Sequence, residues 1–465
     1  MKKIKWLLIL TILIGFFNGV MAREEIVTLN KKEKSQIVDK ASELLDRFYV
    51  IPETAGEMID HLKKLQNKRE FKEIEDPQEF AEYLTDELRS ICHDRHLKFY
   101  LGVNPDQQKT DRNLKRLLRQ LRAKSENYGL DKIEVFEGNI GYMNIKSVMY
   151  SPEVGERIDA AMTFLADVDA LILDQRENGR GGDETFMTHL FSYFFNKPTH
   201  INSIYWKDRD RTDEFWTREK VPGMKMSEIP IFVLISKNTF SGAEAFAYEL
   251  QALKRATVIG EPTVGAANPA STWVLYKNLR ISIPFGRAIH PVTQSNWEGS
   301  GVKPDIEVPA DQALTAALEL AGKSAQEFAQ KQKKELLNLY MKIKQGLEEG
   351  ERLFEKNRER EGEELIITML TRAVKHEIMN QSGINAWGYN LLGQEKKKLA
   401  VAVFKANTLI FPEEVDVWDS LAESYLESGD KEKAIKYYRK ALEINPQYPT
   451  ALRALKQLEK SKKDK

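Results

Sequence analysis

Cysteine is almost absent: the 465-residue chain has one, Cys92. A single cysteine excludes an internal disulfide and any zinc site built on thiolates, so stability must come from burial. A charge of one sign is missing too, because Lys+Arg and Asp+Glu balance at 70 each. That balance offers no basic field to nucleic acid or to an anionic membrane. The H-E-x-x-H zinc signature and G-x-G-x-x-G do not occur, and the glycine turn over 179–182 lacks the Lys-Ser/Thr of a phosphate-binding P-loop. After residue 22 no apolar run is long enough to cross a bilayer. What remains is an ordinary globular composition, 42% hydrophobic and 30% charged, with length for roughly two to four domains.

The N-terminus reads MKKIKWLLILTILIGFFNGVMA. Lys2, Lys3 and Lys5 precede an apolar run over 6–17, and Val20 and Ala22 put small residues at −3 and −1 of a cleavage point. This is the pattern of a secretory signal peptide over 1–22, with an uncleaved anchor as the alternative. It implies an exported protein, periplasmic or extracellular, with no stable membrane span once the signal is removed.

Residues 23–101 read as an N-terminal helical bundle, with apolar residues at three- and four-residue steps and an Asp76-Pro77 helix start. Residues 102–137 form a polar connecting segment with one basic amphipathic helix over 112–124. Over 138–322 the short apolar runs GNIGYMNI, DALILD, IPIFVLIS and RATVIGE alternate with helical stretches, which predicts an α/β core. A charged helical connector follows over 323–380. Residues 381–465 read as an all-α array. Within it, 415–448 fits the 34-residue tetratricopeptide pattern through Trp418, Leu421, Ala422, Tyr425, Ala434, Tyr438 and Pro446, and Ala400, Phe404 and Pro412 lie one period earlier. Such an array can offer a groove to a protein partner or simply pack on its neighbours.

Three stretches could carry chemistry. In NTFSGAEAFAYEL, Ser241 stands between a buried strand and a helix. With Glu244 it makes an S-x-x-E capping box. A serine at a helix N-terminus is also well placed as a nucleophile, because free N–H groups and the helix dipole favour an oxyanion there. On this stretch alone both readings stand. In DQRENGRGGDE a strand ends in a glycine turn, Gly179, Gly181 and Gly182, whose N–H groups could point into a cavity. In NWEGSGVKPDIEV, Glu298 precedes a turn and a closing strand. Among seven histidines, His93 and His96 sit at a helix-to-strand junction, where catalytic groups tend to be displayed.

Together and in this order, DRHL, DQRENGRGGDE, NTFSGAEAFAYELQALKRATVIGEPTVGAANP and NWEGSGVKPDIEV resemble the S41 peptidases, the tail-specific or C-terminal processing protease family, over roughly residues 34–320. The resemblance implies a ClpP/crotonase-like α/β core. It does not extend to the serine–lysine design of that family, because the lysine position is Ala266 here. It is similar to the tricorn-core and retinoid-binding-protein branch. There it implies Ser241 as nucleophile, His96 as general base, Glu298 as the group orienting His96, and the N–H groups of Gly242 and Gly181 as an oxyanion hole. Residues 102–137 are too few for an inserted PDZ module, below a domain floor of about 50 residues. The expected substrate is a peptide or unfolded polypeptide, without metal or organic cofactor. The alternative is a catalytically inactive module that binds an apolar ligand or peptide, with the repeats recruiting a partner.

Overall fold

Four apolar runs form the centre of a six-stranded sheet in the computed structural model, which describes residues 28–102, 112–149, 151–179 and 181–463. The expected signal peptide over 1–22 and Arg180 in the glycine turn lie outside the described residues. No helix among the described residues is long and apolar enough to cross a membrane. The chain divides into two units, residues 1–328 and 329–465.

In the first unit, β3 (Ile140–Ile145), β4 (Ala170–Asp174), β7 (Ile231–Ile235) and β8 (Thr257–Gly260) run parallel and adjacent. Every residue of β4 and β7 is buried, as expected for parallel strands covered on both faces. On one face Leu171, Leu173, Val233 and Ile235 pack against helices α6 (Pro152–Phe164), α7 (Glu184–Phe191) and α8 (Gly242–Ala252). On the other, Ala170, Ile172, Phe232 and Leu234 meet Ala313, Ala317, Ala321 and Ala325. These alanines recur every four residues along α9 (Ala313–Glu355), so one small-residue stripe lets the helix lie close to the sheet. The short strand β12 (Ile306–Glu307) closes the sheet beside β8.

The structure differs from the sequence expectation in two places. The connecting segment contributes β2 (Leu130–Phe136), which pairs antiparallel with β3 as an edge strand. Its register shifts between Leu130 and Lys132, and that irregularity breaks the two-residue alternation by which a strand is recognised. The helical bundle expected over 23–101 also packs on strands from further along the chain. Helices α1 (Lys31–Phe48), α2 (Pro52–Leu65) and α4 (Pro77–Cys92) bury Leu45, Leu62, Phe80 and Leu84 against Phe99, Ile281 and Ile283. Phe99 lies on β1 (Lys98–Leu101), which pairs antiparallel with β10 (Leu279–Pro284), itself paired with β9 (Ala270–Tyr276). The segment just before β1, which holds His96, is thereby anchored to the end of the α/β unit.

A third sheet, β11 (Gly286–Ile289), β5 (His200–Trp206) and β6 (Arg211–Trp216), completes this unit.

In the second unit, helices α11 (Gln381–Gly393) and α12 (Lys397–Ile410) form one antiparallel-type pair, and α13 (Val415–Glu427) and α14 (Lys431–Ile444) form the next. Helix α15 (Pro449–Lys463) follows. The residues one period apart, Ala400 with Ala434 and Phe404 with Tyr438, are all buried in one cluster. The aromatics of the repeat pattern are therefore packing residues.

Candidate active site

Strands β4 and β7 are neighbours and parallel, so their carboxyl ends open on the same edge of the sheet, where ligands bind in open α/β sheets. The glycine turn follows β4 and the Ser241 turn follows β7. Two side-chain bonds and one backbone bond fasten the two loops together. Ser236 Oγ donates to the Arg176 carbonyl at 2.6 Å, Thr239 Oγ1 to the Gln175 carbonyl at 2.9 Å, and Phe240 N–H to the Asn178 carbonyl at 3.0 Å. Asp174 is buried in a pair with Arg176 and accepts from the Tyr142 hydroxyl at 2.8 Å, so these two residues brace the loop.

Ser241 is the N-cap of α8 with φ 56° and ψ −115°. A non-glycine residue there is strained, by about 1–3 kcal/mol. The Glu244 half of the capping box expected from the sequence is present, with the Ser241 N–H donating to the Glu244 carboxylate. Glu244 is buried and accepts four bonds, from Ser241 N–H at 2.8 Å, Ala266 N–H at 3.0 Å, Gly265 N–H at 2.7 Å and Thr263 Oγ1 at 2.5 Å. This carboxylate holds the turn in its strained form.

Ser241 Oγ lies 3.0 Å from His96 Nε2. The ring is mostly buried beside Phe240, and burial, with Lys98 and Arg89 adding, lowers its pKa to about 4. A neutral imidazole is the form that can accept a proton from the serine. His93 is exposed and caps α4 with φ 56°. Of the two junction histidines, the chain brings His96 to Ser241.

Glu298 lies on the far side of His96. Its Oε2 accepts from Ala267 N–H at 2.7 Å and Asn268 N–H at 3.0 Å. Its Oε1 and His96 Nδ1 are both buried without a hydrogen-bond partner. A second carboxylate, Asp94, stands beside them. Its Oδ1 accepts from His96 N–H at 2.9 Å and lies 3.9 Å from His96 Nδ1, and its Oδ2 accepts from Asn268 Nδ2 at 3.0 Å. One atom each of Asp94, His96 and Glu298 lie within 4.8 Å of one another. Burial, with the Asp94 charge adding, pushes Glu298 up to about 8, and burial also raises Asp94. The two acids therefore compete for one negative charge.

These three residues are also the described set that could hold a metal ion. A zinc ion with ligands at about 2.1 Å needs them about 3.4 Å apart, so the set would have to contract, and both Asp94 oxygens are already engaged. Nothing near His96 marked Asp94 in the sequence except its place two residues earlier, and Asn268 carried no signal.

The expected oxyanion donors adjoin Ser241, but in this arrangement the Gly242 N–H is not open. Gly242 N–H donates to the Gly181 carbonyl oxygen at 3.2 Å. A Cβ on Gly242 would come within 2.3 Å of Gly182 Cα, and Gly181 has φ +82°, so the close approach requires glycine at these positions. A cavity of about 420 Å³ opens beside Ser241 and His96, walled by Ile204, Trp206, Phe215 and Trp297.

Residues 139–308 match the family model of peptidase family S41. Residues 20–128 match the model of the N-terminal domain of that peptidase in eukaryotic IRBP, and 415–448 match the tetratricopeptide repeat. The chain is 27% identical over 172 residues to the chloroplastic carboxyl-terminal-processing peptidase 2 of Arabidopsis thaliana, a match covering 37% of this chain and 32% of that protein. It thus spans about a third of the length of this curated relative. Among solved structures, the photosystem II D1 C-terminal processing protease aligns with a TM-score of 0.38 at 15% identity, covering 60% of this chain and 93% of that one. A lipoprotein from Streptococcus agalactiae aligns with a TM-score of 0.40 at 16% identity, over 63% and 96%.

Proposed function

We propose that this chain, whose residues 139–308 match peptidase family S41, is an exported serine peptidase that cleaves peptides or unfolded polypeptides through an acyl-enzyme. The observation that carries the reading is the 3.0 Å approach of His96 Nε2 to Ser241 Oγ at a helix N-terminus beside a cavity. Neutral His96 takes the serine proton as Oγ attacks the scissile carbonyl, then returns it to the leaving amine. The Asp94–Glu298 pair supplies negative charge beside the imidazolium that forms. The substrate oxyanion takes the Gly242 N–H once the Gly181–Gly182 peptide turns over and withdraws the Gly181 carbonyl. Glycine on both sides of that peptide makes the rotation inexpensive, and the turned peptide presents the Gly182 N–H, in place of the Gly181 N–H expected from the resemblance, to the oxyanion. The repeats over 381–465 are a surface for a protein partner.

The test is labelling of the purified chain by a fluorophosphonate probe, which reacts only with an activated serine. The parent labels and Ser241→Ala does not. A folded parent that stays unlabelled sinks the reading and favours a module that binds a ligand without turning it over.

The carboxyl pair sets a pH dependence. His96 is neutral well below pH 7 and does not limit the rate in the neutral range. The last proton on the pair leaves near pH 8, and a doubly ionised pair stabilises the imidazolium more strongly. Accordingly kcat/KM rises with an inflection near that pH. Asp94→Asn removes the second of the three causes that raise Glu298, after burial and ahead of the Glu244 charge, so the inflection moves to lower pH. Burial remains, so it stays above the ordinary glutamate value. The Asn268 side chain can turn over to meet the new amide. An inflection that stays put or moves upward in the Asp94→Asn pH profile refutes this role for Asp94.

A further inference from the structure

The cavity beside Ser241 has apolar walls and an acidic floor. Along β5, Trp206 and Ile204 line the cavity, and Asn202 is the next residue on the same face of the strand, fully buried. Along α8, Gly242 and Ala245 line the cavity, and Glu249 lies one turn beyond Ala245 with 0% exposure. Glu184, the first residue of α7, lines the cavity as well. Its Oε1 accepts from Asn202 Nδ2 at 3.1 Å. Three carboxyl oxygens at this floor, Glu184 Oε2 and both of Glu249, are buried with no hydrogen-bond partner.

The Asp183 charge acts on Glu184, and the Glu184 charge acts on Glu249. A buried polar group costs about 1–3 kcal/mol when left unpaired, so two carboxyls with the Asn202 amide as their shared neighbour call for a further donor. Burial holds both acids toward their protonated forms, Glu184 at about 7 and Glu249 well above its ordinary value. An arriving cation would displace those protons. A guest that fits must carry a long apolar stem against Ile204, Trp206 and Phe215 and end in a cluster of N–H donors. Lysine and arginine side chains have that build.

We propose that Glu184, Asn202 and Glu249 form the base of a specificity pocket that selects lysine or arginine at the residue whose carbonyl Ser241 attacks. The inference rests on the peptidase reading above, and it narrows the substrate class to polypeptides cut after a basic residue. Ala245, between Ser241 and Glu249 on α8, presents only a methyl group to the cavity.

The test compares kcat/KM for peptides that differ only at that residue, arginine, lysine, glutamine or leucine, in the parent and in Glu249→Gln. The parent prefers arginine and lysine over leucine by about tenfold or more, and the Arg-to-Leu ratio falls about tenfold in Glu249→Gln, as expected when a buried charge partner is lost. A parent that cuts leucine peptides as well as arginine ones, or a ratio unchanged in the variant, overturns the proposal. Thermal unfolding checks that Glu249→Gln is folded; if it is not, the parent's own preference decides. Calorimetric binding of arginine-ended and leucine-ended hexapeptides to Ser241→Ala separates the two readings. A chain that labels with fluorophosphonate but ignores arginine loses the specificity alone. A chain that does not label but binds the arginine peptide about tenfold more tightly loses the catalytic reading and keeps the basic pocket.

Discussion

His96→Ala is expected to lower kcat/KM for a peptide substrate by about 10⁴-fold or more, and Ser241→Ala to do the same. The two losses should not add in the double variant, because nucleophile and base act in one proton transfer. Both substitutions leave the fold intact. Ser241 holds its turn through its N–H, which donates to Glu244 and survives in alanine. His96 contributes its side chain at the cavity wall and little of the core. Glu298→Gln is expected to cost less, about 10²-fold, because Asp94 stays 3.9 Å from His96 Nδ1 and can take over part of the electrostatic role. Steady-state hydrolysis by the four chains at one pH measures this order. A His96→Ala chain that retains a tenth of parental turnover would remove the base assignment.

The largest effect on stability is expected at Glu244, which touches no substrate. Its two oxygens satisfy three backbone N–H groups and one hydroxyl, from Ser241, Gly265, Ala266 and Thr263. Glu244→Ala leaves those donors buried and opens a void. At about 1–3 kcal/mol for each orphaned donor, the three N–H groups alone amount to at least about 3 kcal/mol. Glu244 is fully buried, so water has no easy route to replace it. Denaturant unfolding followed by fluorescence should show the first transition displaced to lower denaturant, and fluorophosphonate labelling should be lost even where the chain is folded. A variant as stable as the parent would mean that the loop over 263–268 relaxes onto other partners. That loop also carries the Ala267 and Asn268 N–H groups that hold Glu298. One buried acid thus links the serine turn to the carboxylate behind the histidine.

Much of the frame was legible in the sequence because it is local. The apolar runs at β3, β4, β7 and β8 announce buried strands, and the S-x-x-E pattern announces the start of α8. The 34-residue period likewise announces the helix pairs of the second unit. The order of motifs pointed to Ser241, His96 and Glu298. Other features depend on contacts that no local pattern records. The pairing of β1 with β10 joins Lys98 to Ser282, and only the folded chain reveals it. Asp94 is the first residue of DRHL, but its partner Asn268 Nδ2 lies far along the sequence and no local pattern joins the two. The burial of Glu249 follows from the packing of α8 on the sheet, which its place in the helix does not fix. Which way the Gly181 carbonyl faces is a backbone torsion, and residue identity permits both answers.

The backbone of Ser241 sets activity against robustness. At φ 56° and ψ −115° the residue occupies a region that glycine enters freely and serine does not. Ser241→Gly would shed strain of about 1–3 kcal/mol and lose about 0.5–1 kcal/mol to the greater freedom of the unfolded chain. The balance favours the glycine, so the dead variant should melt a few degrees above the parent. A scanning calorimetry trace in which Ser241→Gly melts below the parent would mean that the turn is relaxed as it stands. On this argument, selection for thermal endurance alone would erase the serine. Its presence records a chain kept less durable than its own backbone allows.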